Sequence, residues 1–116
     1  MTKPVGPYTP VVRAGDWIIV SGQLGAVEGV LVEGGVAAQT RQSVANVKAQ
    51  LATVGADLTD VVKTLCFLQD MGDFVTFNEA YVEGFGDHRP ARSTIGVAAL
   101  PIGGLVEIEA WAYKAG

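Results

Sequence analysis

The chain has 116 residues, of which 49% are hydrophobic and 17% are charged, and its formal net charge is −4. This length fits one domain with a single core, and we expect residues 1–116 to form it. The acidic balance and the absence of a Lys/Arg-rich run argue against nucleic-acid binding. No apolar run reaches the roughly 20 residues that span a bilayer, and no signal-peptide core is present, so the sequence predicts a cytoplasmic protein.

Cysteine and histidine occur once each, as Cys66 and His88. One cysteine cannot form an internal disulfide, and one Cys with one His cannot build a structural zinc site. Cys66 lies in a strand-like segment and is interpreted as a small buried hydrophobic residue. No phosphate-binding loop or dinucleotide-binding glycine motif is present.

The first half of the chain begins with a proline-rich arm over residues 3–10, which is expected to be extended. Residues 16–24 then have the composition of a strand. The segment Gly25–Gly35 contains four glycines and predicts a short hairpin or a mobile flap. Apolar residues at spacings of three and four predict a first helix over residues 36–54, ended by Gly55.

The second half reads as a strand over residues 62–69 and a helix over residues 74–84, with Asp73 as its N-cap. A strand that begins near Arg92, a turn at "LPIGG" and a final strand over residues 105–113 follow. This order predicts a small α/β (α+β) domain in which two helices cover one face of a mixed sheet. If the other face is apolar, we expect it to pack against other chains.

The final strand has two different faces because side chains alternate along a strand. One face is small and apolar: Val106, Ile108, Ala110 and Ala112. The other mixes aromatic residues with two carboxylates: Leu105, Glu107, Glu109, Trp111 and Tyr113. We interpret this second face as the lining of an interface or cavity, where a desolvated Glu has the raised proton affinity that suits proton transfer. Alternatively, both Glu side chains reach water at a sheet edge.

Arg92 precedes the "LPIGG" turn, so its strand and the strand of Glu107 are expected to be antiparallel neighbours. Its planar guanidinium can bind a carboxylate through two hydrogen bonds. The alternatives are an ion pair with Glu107 or Glu109, or an exposed arginine. Arg89 and His88 are interpreted as residues of a solvated loop.

Three further polar residues stand in positions that suit a binding site. Tyr8 brings a ring and a hydroxyl group on the proline-rich arm, or else only anchors that arm. Asn78 falls on the apolar stripe of its helix, where an amide needs a partner unless it lies at the exposed edge of the stripe. Ser21 is placed at a strand end beside Gly22, where backbone can approach a ligand closely.

Several segments together resemble the RidA/YjgF family of enamine/imine deaminases. They are "GPYT", "VSGQ", the long segment from Thr40 to Tyr81, "HRPARSTIGVAALP" and "VEIEA", in that order over nearly the whole chain. The resemblance implies a chorismate-mutase-like fold and a homotrimer with clefts between its subunits. It further implies hydrolysis of reactive 2-imino acids to 2-keto acids and ammonia, without a metal or cofactor.

The resemblance also implies roles for single residues. Arg92 matches the family's carboxylate-binding arginine, and Glu107 matches its water-handling glutamate. The remaining binding positions are matched by Tyr8, Ser21, Asn78 and Thr94. Thr94 stands where many members have a cysteine; its hydroxyl can still form a hydrogen bond, but it has no thiol reactivity.

Three alternatives to the deaminase hypothesis stay open at the level of sequence. The chain could be a non-catalytic module in which Arg92 binds a metabolite carboxylate as a signal. It could be an endoribonuclease, against which its acidic balance argues. In a purely structural role, Arg92 would pair with Glu107 in a subunit interface without any ligand.

Overall fold

The structure, a computed structural model, describes residues 6–116. The strands are β1 (Val11–Ala14), β2 (Trp17–Leu24), β3 (Ala26–Val27), β4 (Val30–Leu31), β5 (Val61–Leu68), β6 (Ala91–Gly96) and β7 (Val106–Tyr113); the helices are α1 (Gly35–Ala52) and α2 (Phe74–Phe85). Five strands form one sheet in the order β1-β2-β7-β5-β6, and β3 pairs with β4 in a separate hairpin. Within these residues no helix is long and apolar enough to cross a membrane.

The sheet is mixed, because β5 is antiparallel to β7 and parallel to β6. The expectation that the strands of Arg92 and Glu107 are neighbours is therefore wrong, since β5 lies between them. The physical reason is the helix α2, which links β5 to β6 as a crossover and makes those two strands parallel partners. The chain then passes a tight turn at Pro101–Gly103 and enters the sheet on the other side of β5.

The two helices pack on one face of this sheet, as predicted. The inward side chains of β7, Val106, Ile108, Ala110 and Ala112, are fully buried. On β5 the side chains of Thr64, Cys66 and Leu68 point the same way and are also fully buried. The prediction that Cys66 is a buried residue is confirmed.

The helix bounds differ from the sequence-based ones by at most two residues. The chain leaves α1 through Gly55, whose φ of +78° is accessible to glycine at little cost. Asp73 precedes α2 as expected, but its side chain makes no capping hydrogen bond. A short 3-10 turn, Met71–Asp73, leads directly into the helix, and the Asp70 carboxylate accepts from Gly72 N at 2.8 Å instead.

The N-terminal part contains a strand that the sequence analysis did not predict. The short β1 runs antiparallel to β2 at the sheet edge. Four residues give too little alternation to distinguish a strand from the end of the proline-rich arm. Of that arm, residues 3–5 lie outside the described residues. The predicted hairpin within Gly25–Gly35 is confirmed by the pairing of β3 with β4.

Buried polar side chains of α1 hold the end of β2 in place. The pairing of β2 with β7 shifts register between Val20 and Gln23. The Ser43 hydroxyl donates to Gln23 O at 2.7 Å, and the Asn46 amide donates to Leu24 O and Ala26 O at 2.9 Å. Because buried carbonyl groups need hydrogen-bond partners, these contacts fix the segment of β2 that lines the candidate site.

Candidate functional site

The predicted site residues form two groups on opposite faces of the sheet. A cavity of about 270 Å³ on the open face is lined by Tyr8, Ser21, Gly22, Pro101, Glu107 and Glu109. A groove of about 260 Å³ beside α2 is lined by Asn78, Tyr81, Val82, Arg89, Pro90 and Arg92. We call them the glutamate cavity and the arginine groove. A single chain does not bring the two groups together.

The register of β5 explains this separation. Arg92 pairs with Thr64, which points toward the helices, whereas Glu107 pairs with Phe67, which points away from them. The arginine therefore lies on the helix-covered face and the glutamate on the open face.

Glu107 is half-buried in its cavity. Burial raises the pKa of its carboxyl group above the ordinary value, and the nearby charge of Glu109 raises it further. Glu109 itself is held by Trp111, whose indole Nε1 donates to its Oε2 at 2.8 Å. The cavity thus contains a carboxyl group with increased proton affinity beside a fixed second carboxylate.

Gly22 makes room for the Glu107 side chain. A Cβ atom at Gly22 would lie 2.7 Å from Glu107 Cδ and 2.9 Å from Cγ and Oε1. The sequence analysis placed Ser21 at a strand end, which is wrong: Ser21 and Gly22 lie within β2, at its irregular pairing with β7. Because Gly22 has no side chain, the Glu107 side chain can lie close to the backbone of β2. In the sequence, this contact was indicated only by the position of a glycine next to the candidate site residue Ser21.

Ser21 connects the N-terminal segment to the sheet. Its hydroxyl donates to Thr9 O at 2.8 Å, and its backbone N–H donates to Pro10 O at 2.9 Å. Tyr8 is thereby carried to the rim of the glutamate cavity, where its side chain is 41% exposed. Ser21 thus holds the segment that brings Tyr8 to this cavity.

Arg92 is half-buried against the aromatic side of α2. Its Cζ lies 4.9 Å from the ring centroid of Tyr81, 5.3 Å from that of Phe77 and 5.6 Å from that of Phe74. It makes no hydrogen bond or ion pair with any of residues 6–116. The alternative of an ion pair with Glu107 or Glu109 therefore finds no support within this chain, and the guanidinium donors are left for another partner.

Two buried acceptor atoms accompany Arg92 on the same face. Asn78 Oδ1 is buried and has no hydrogen-bond partner among residues 6–116, and the buried Thr94 Oγ1 has none besides the neighbouring Cys66 thiol. Asn78 lines the arginine groove, and Thr94 follows Arg92 by two positions, opposite Cys66 on β5. Buried polar atoms without partners are uncommon and indicate a site where water or a ligand binds.

The residues before Arg92 form the loop that the sequence analysis expected. The ring Nε2 of His88 is hydrogen-bonded to Val61 O at 2.7 Å, and Arg89 donates to the carbonyl groups of Gly86 and His88. His88 is thus engaged with the backbone. The aromatic rings that contact Arg92 belong to the apolar stripe of α2, which the sequence analysis interpreted as a face of the core. Phe77 and Tyr81 stand at i and i+4 on this helix, and this spacing was the available signal that their rings lie side by side. No group of three His, Cys, Asp or Glu side chains within residues 6–116 is arranged to hold a metal ion.

Comparison with known proteins agrees with this fold. The chain is 44% identical to a RutC family protein of Pyrococcus horikoshii over 97% of this chain and 90% of the relative. It is 46% identical to the 2-iminobutanoate/2-iminopropanoate deaminase of Bos taurus over 95% of this chain and 82% of the relative. The crystal structure of the yjgF gene product of E. coli superimposes with a TM-score of 0.89 at 43% identity, covering 95% of this chain and 90% of that one.

The family profile described as Endoribonuclease L-PSP matches residues 1–114, nearly the whole chain. Together with these relatives, the match shows that the chain belongs to the RidA/YjgF family.

Proposed function

We propose that this protein is a deaminase that hydrolyses 2-imino acids, such as 2-iminobutanoate and 2-iminopropanoate, to 2-keto acids and ammonia. The observation that carries the proposal is the state of Arg92. A half-buried guanidinium with no anionic partner among residues 6–116 is arranged for an anionic ligand. The names of mammalian relatives at about 45% identity support a 2-imino acid as that ligand.

Arg92 binds the substrate carboxylate in this proposal, with two N–H donors directed at its two oxygen atoms. Asn78, which lines the arginine groove, and Thr94, two positions after Arg92 on the same face, supply the neighbouring polar contacts. Tyr8 and Ser21 shape the other side of the site, at the glutamate cavity. These assignments follow the positions of the residues: Tyr8 and Ser21 line the glutamate cavity, and Asn78 and Arg92 line the arginine groove.

Glu107 handles water and protons. Its carboxyl group has a raised pKa, so it exchanges protons more readily near neutral pH than an ordinary glutamate does. Water, positioned by the carboxylate, adds its oxygen to the C=N carbon, and the nitrogen receives protons. The C–N bond of the resulting carbinolamine then breaks, ammonia leaves, and a C=O bond forms. One water is consumed and no electrons are transferred.

A second copy of the chain is required to unite the two groups. Arg92 and Glu107 lie on opposite faces of one sheet, which supports a site in which one copy supplies the arginine groove and its neighbour supplies the glutamate cavity. We propose a homotrimer with three such clefts, because rotational symmetry repeats one interface around a closed ring. We also propose that it acts in the cytoplasm on a small-molecule substrate.

The test is a coupled assay in which a threonine or serine dehydratase generates the enamine and keto-acid formation is followed. Three samples are compared: the wild-type protein, Arg92→Ala and Arg41→Gln. Arg41 is an exposed arginine of α1 that forms an ion pair with Glu83 at 3.4 Å, and it controls for the loss of one positive charge. We expect the wild type and Arg41→Gln to accelerate keto-acid formation, and Arg92→Ala to be inactive while it still folds and assembles.

Other outcomes identify the competing functions. Equal activity of Arg92→Ala and wild type would refute the role of the arginine. An inactive wild type that binds a keto acid saturably would indicate a binding module. RNA cleavage with steeply salt-dependent binding would favour the activity named in the family profile, against which the net charge of −4 argues.

A further inference from the structure

We infer that Tyr81 is a positioning residue for Arg92: its ring seats the guanidinium, and its hydrogen bond to Thr64 fixes the ring. The inference deepens the proposed function, because it concerns the arginine to which that function assigns the substrate carboxylate. Tyr81 touches the guanidinium from the core side and is itself 3% exposed.

The contact between Tyr81 and Arg92 is the shortest of three. The ring centroid of Tyr81 lies 4.9 Å from Arg92 Cζ, within the range of an attractive cation–π interaction. The rings of Phe77 and Phe74 lie 5.3 Å and 5.6 Å away. No carboxylate among residues 6–116 pairs with Arg92, so within this range these rings are the only partners that hold its charged end.

An aromatic seat suits an arginine that must bind a carboxylate. Ring faces attract the positive charge without using its N–H donors, whereas an Asp or Glu partner would occupy them. The seat therefore immobilises the guanidinium and leaves its hydrogen-bonding capacity for the ligand. Fixing a binding group before the ligand arrives reduces the entropy lost on binding.

Thr64, on β5, fixes the ring of Tyr81 through a hydrogen bond to its hydroxyl group. Its Oγ1 lies 2.8 Å from the Tyr81 hydroxyl, in a fully buried position of β5 directly paired with Arg92. Cys66 Sγ donates to the same oxygen at 3.8 Å. Burial raises the pKa of Tyr81, and it raises the pKa of the Cys66 thiol to about 11, so both groups remain neutral at pH 7.

Phe85 stacks on the ring of Tyr81 and provides a matched control. Its ring centroid is 4.7 Å from that of Tyr81, and the side chain is 6% exposed, but it has no cation–π contact with Arg92. Replacing Phe85 by leucine removes a ring from the same helix and the same core without removing the seat.

The experiment compares Tyr81→Leu, Tyr81→Phe, Thr64→Val and Phe85→Leu with wild type. Three experiments are made. The coupled assay gives KM and kcat for 2-iminobutanoate, and calorimetry gives the affinity for 2-oxobutanoate. NMR of ligand-free protein gives the signal of Arg92 Nε–H, which is assigned by its loss in Arg92→Lys. Size-exclusion chromatography and thermal unfolding monitor assembly and stability.

We expect Tyr81→Leu to raise KM and weaken 2-oxobutanoate binding by about tenfold, with a smaller change in kcat, and to shift the Arg92 signal. Tyr81→Phe and Thr64→Val keep the ring but remove the hydrogen bond that fixes it, so each should weaken 2-oxobutanoate binding by about threefold, less than Tyr81→Leu does. Wild-type affinity in both variants would show that the hydrogen bond does not fix the ring. Phe85→Leu should lose stability but leave KM, affinity and the signal close to wild type. The inference is overturned if Tyr81→Leu retains wild-type affinity and signal, or if Phe85→Leu changes them equally.

Failure of the proposed function would look different. If wild type binds 2-oxobutanoate without deaminating imines, the affinities of the variants alone decide the role of Tyr81. If wild type neither deaminates nor binds, the Arg92 signal decides it, because the seat exists without ligand. A signal shifted by Tyr81→Leu and not by Phe85→Leu then supports the inference, and an unshifted signal overturns it.

Discussion

Arg92 and Glu107 extend from opposite faces of one sheet, and β5 separates the strands that carry them. In the proposed function, a substrate bound to the guanidinium of one copy therefore meets the carboxyl group of another copy. If the proposed trimer forms, it is therefore needed for activity and not only for stability, and activity measurements can test this requirement.

Mixed oligomers of two inactive variants should regain activity. If Arg92→Ala and Glu107→Gln subunits are co-expressed with different tags and the mixed trimers purified, about a third of the shared sites combine an intact arginine with an intact glutamate. We expect activity of about that fraction of wild type in the coupled assay. Mixtures of two differently tagged Arg92→Ala chains serve as the control and should remain inactive. No recovery in the mixed oligomers would show that both residues act within one chain.

Gly22→Ala should displace Glu107 without unfolding the protein. The added Cβ would lie 2.7 Å from Glu107 Cδ, near the flexible end of the side chain, so the carboxyl group moves more easily than the strand. We expect kcat to fall by at least about tenfold, because proton transfer depends on position, while thermal unfolding changes little. A wild-type kcat in Gly22→Ala would contradict the proposed route through Glu107.

Glu109→Gln should extend activity to lower pH. Burial is the larger cause of the raised pKa of Glu107, and the negative charge of Glu109 is the second. In the proposed function Glu107 handles water as a carboxylate, so we expect activity to be lost as the pH falls through this raised pKa. Removing the charge of Glu109 lowers the pKa of Glu107, so the acidic limb of the kcat/KM profile moves to lower pH.

A glutamine at position 109 still offers Trp111 an acceptor oxygen, so the indole contact of 2.8 Å is retained in the variant. Trp111→Phe, which removes that donor and keeps the charge of Glu109, is the companion variant and should not move the limb in the same direction. If the acidic limb of the kcat/KM profile stays at its wild-type position in Glu109→Gln, that limb does not reflect the protonation of Glu107.

Gly25→Ala should destabilise the fold. A Cβ at Gly25 would lie 2.5 Å from Cα, Cβ and O of Gln39, so it meets the backbone of α1, which cannot move aside as a side chain can. We expect a loss of about 3 kcal/mol in the free energy of unfolding. Gly29→Ala is the control, because it has φ of +78° but no atom within 4 Å of the added Cβ, and should cost about 1 kcal/mol. Thermal unfolding at one protein concentration compares the two, and an equal effect would contradict the packing argument.

The sequence predicted most elements because their signals are local. Apolar spacing located α1 and α2, alternation gave β7 its two faces, and a glycine-rich segment indicated the hairpin. Only β1 was missed, since four residues beside a proline-rich arm carry little alternation. The resemblance to RidA/YjgF proteins, carried by motifs such as "PARS" and "VEIEA", identified the family, and Arg92 and Glu107 as candidates.

The relation between these candidates was decided by the tertiary structure. The order of strands depends on the α2 crossover and on the insertion of β7 beside β5, and neither leaves a local signal in the sequence. The same holds for the aromatic seat of Arg92 and for the approach of Gly22 to Glu107, which join residues that are distant along the chain. Local periodicity determines what each segment forms and which side chains share a face, whereas only packing determines which faces meet.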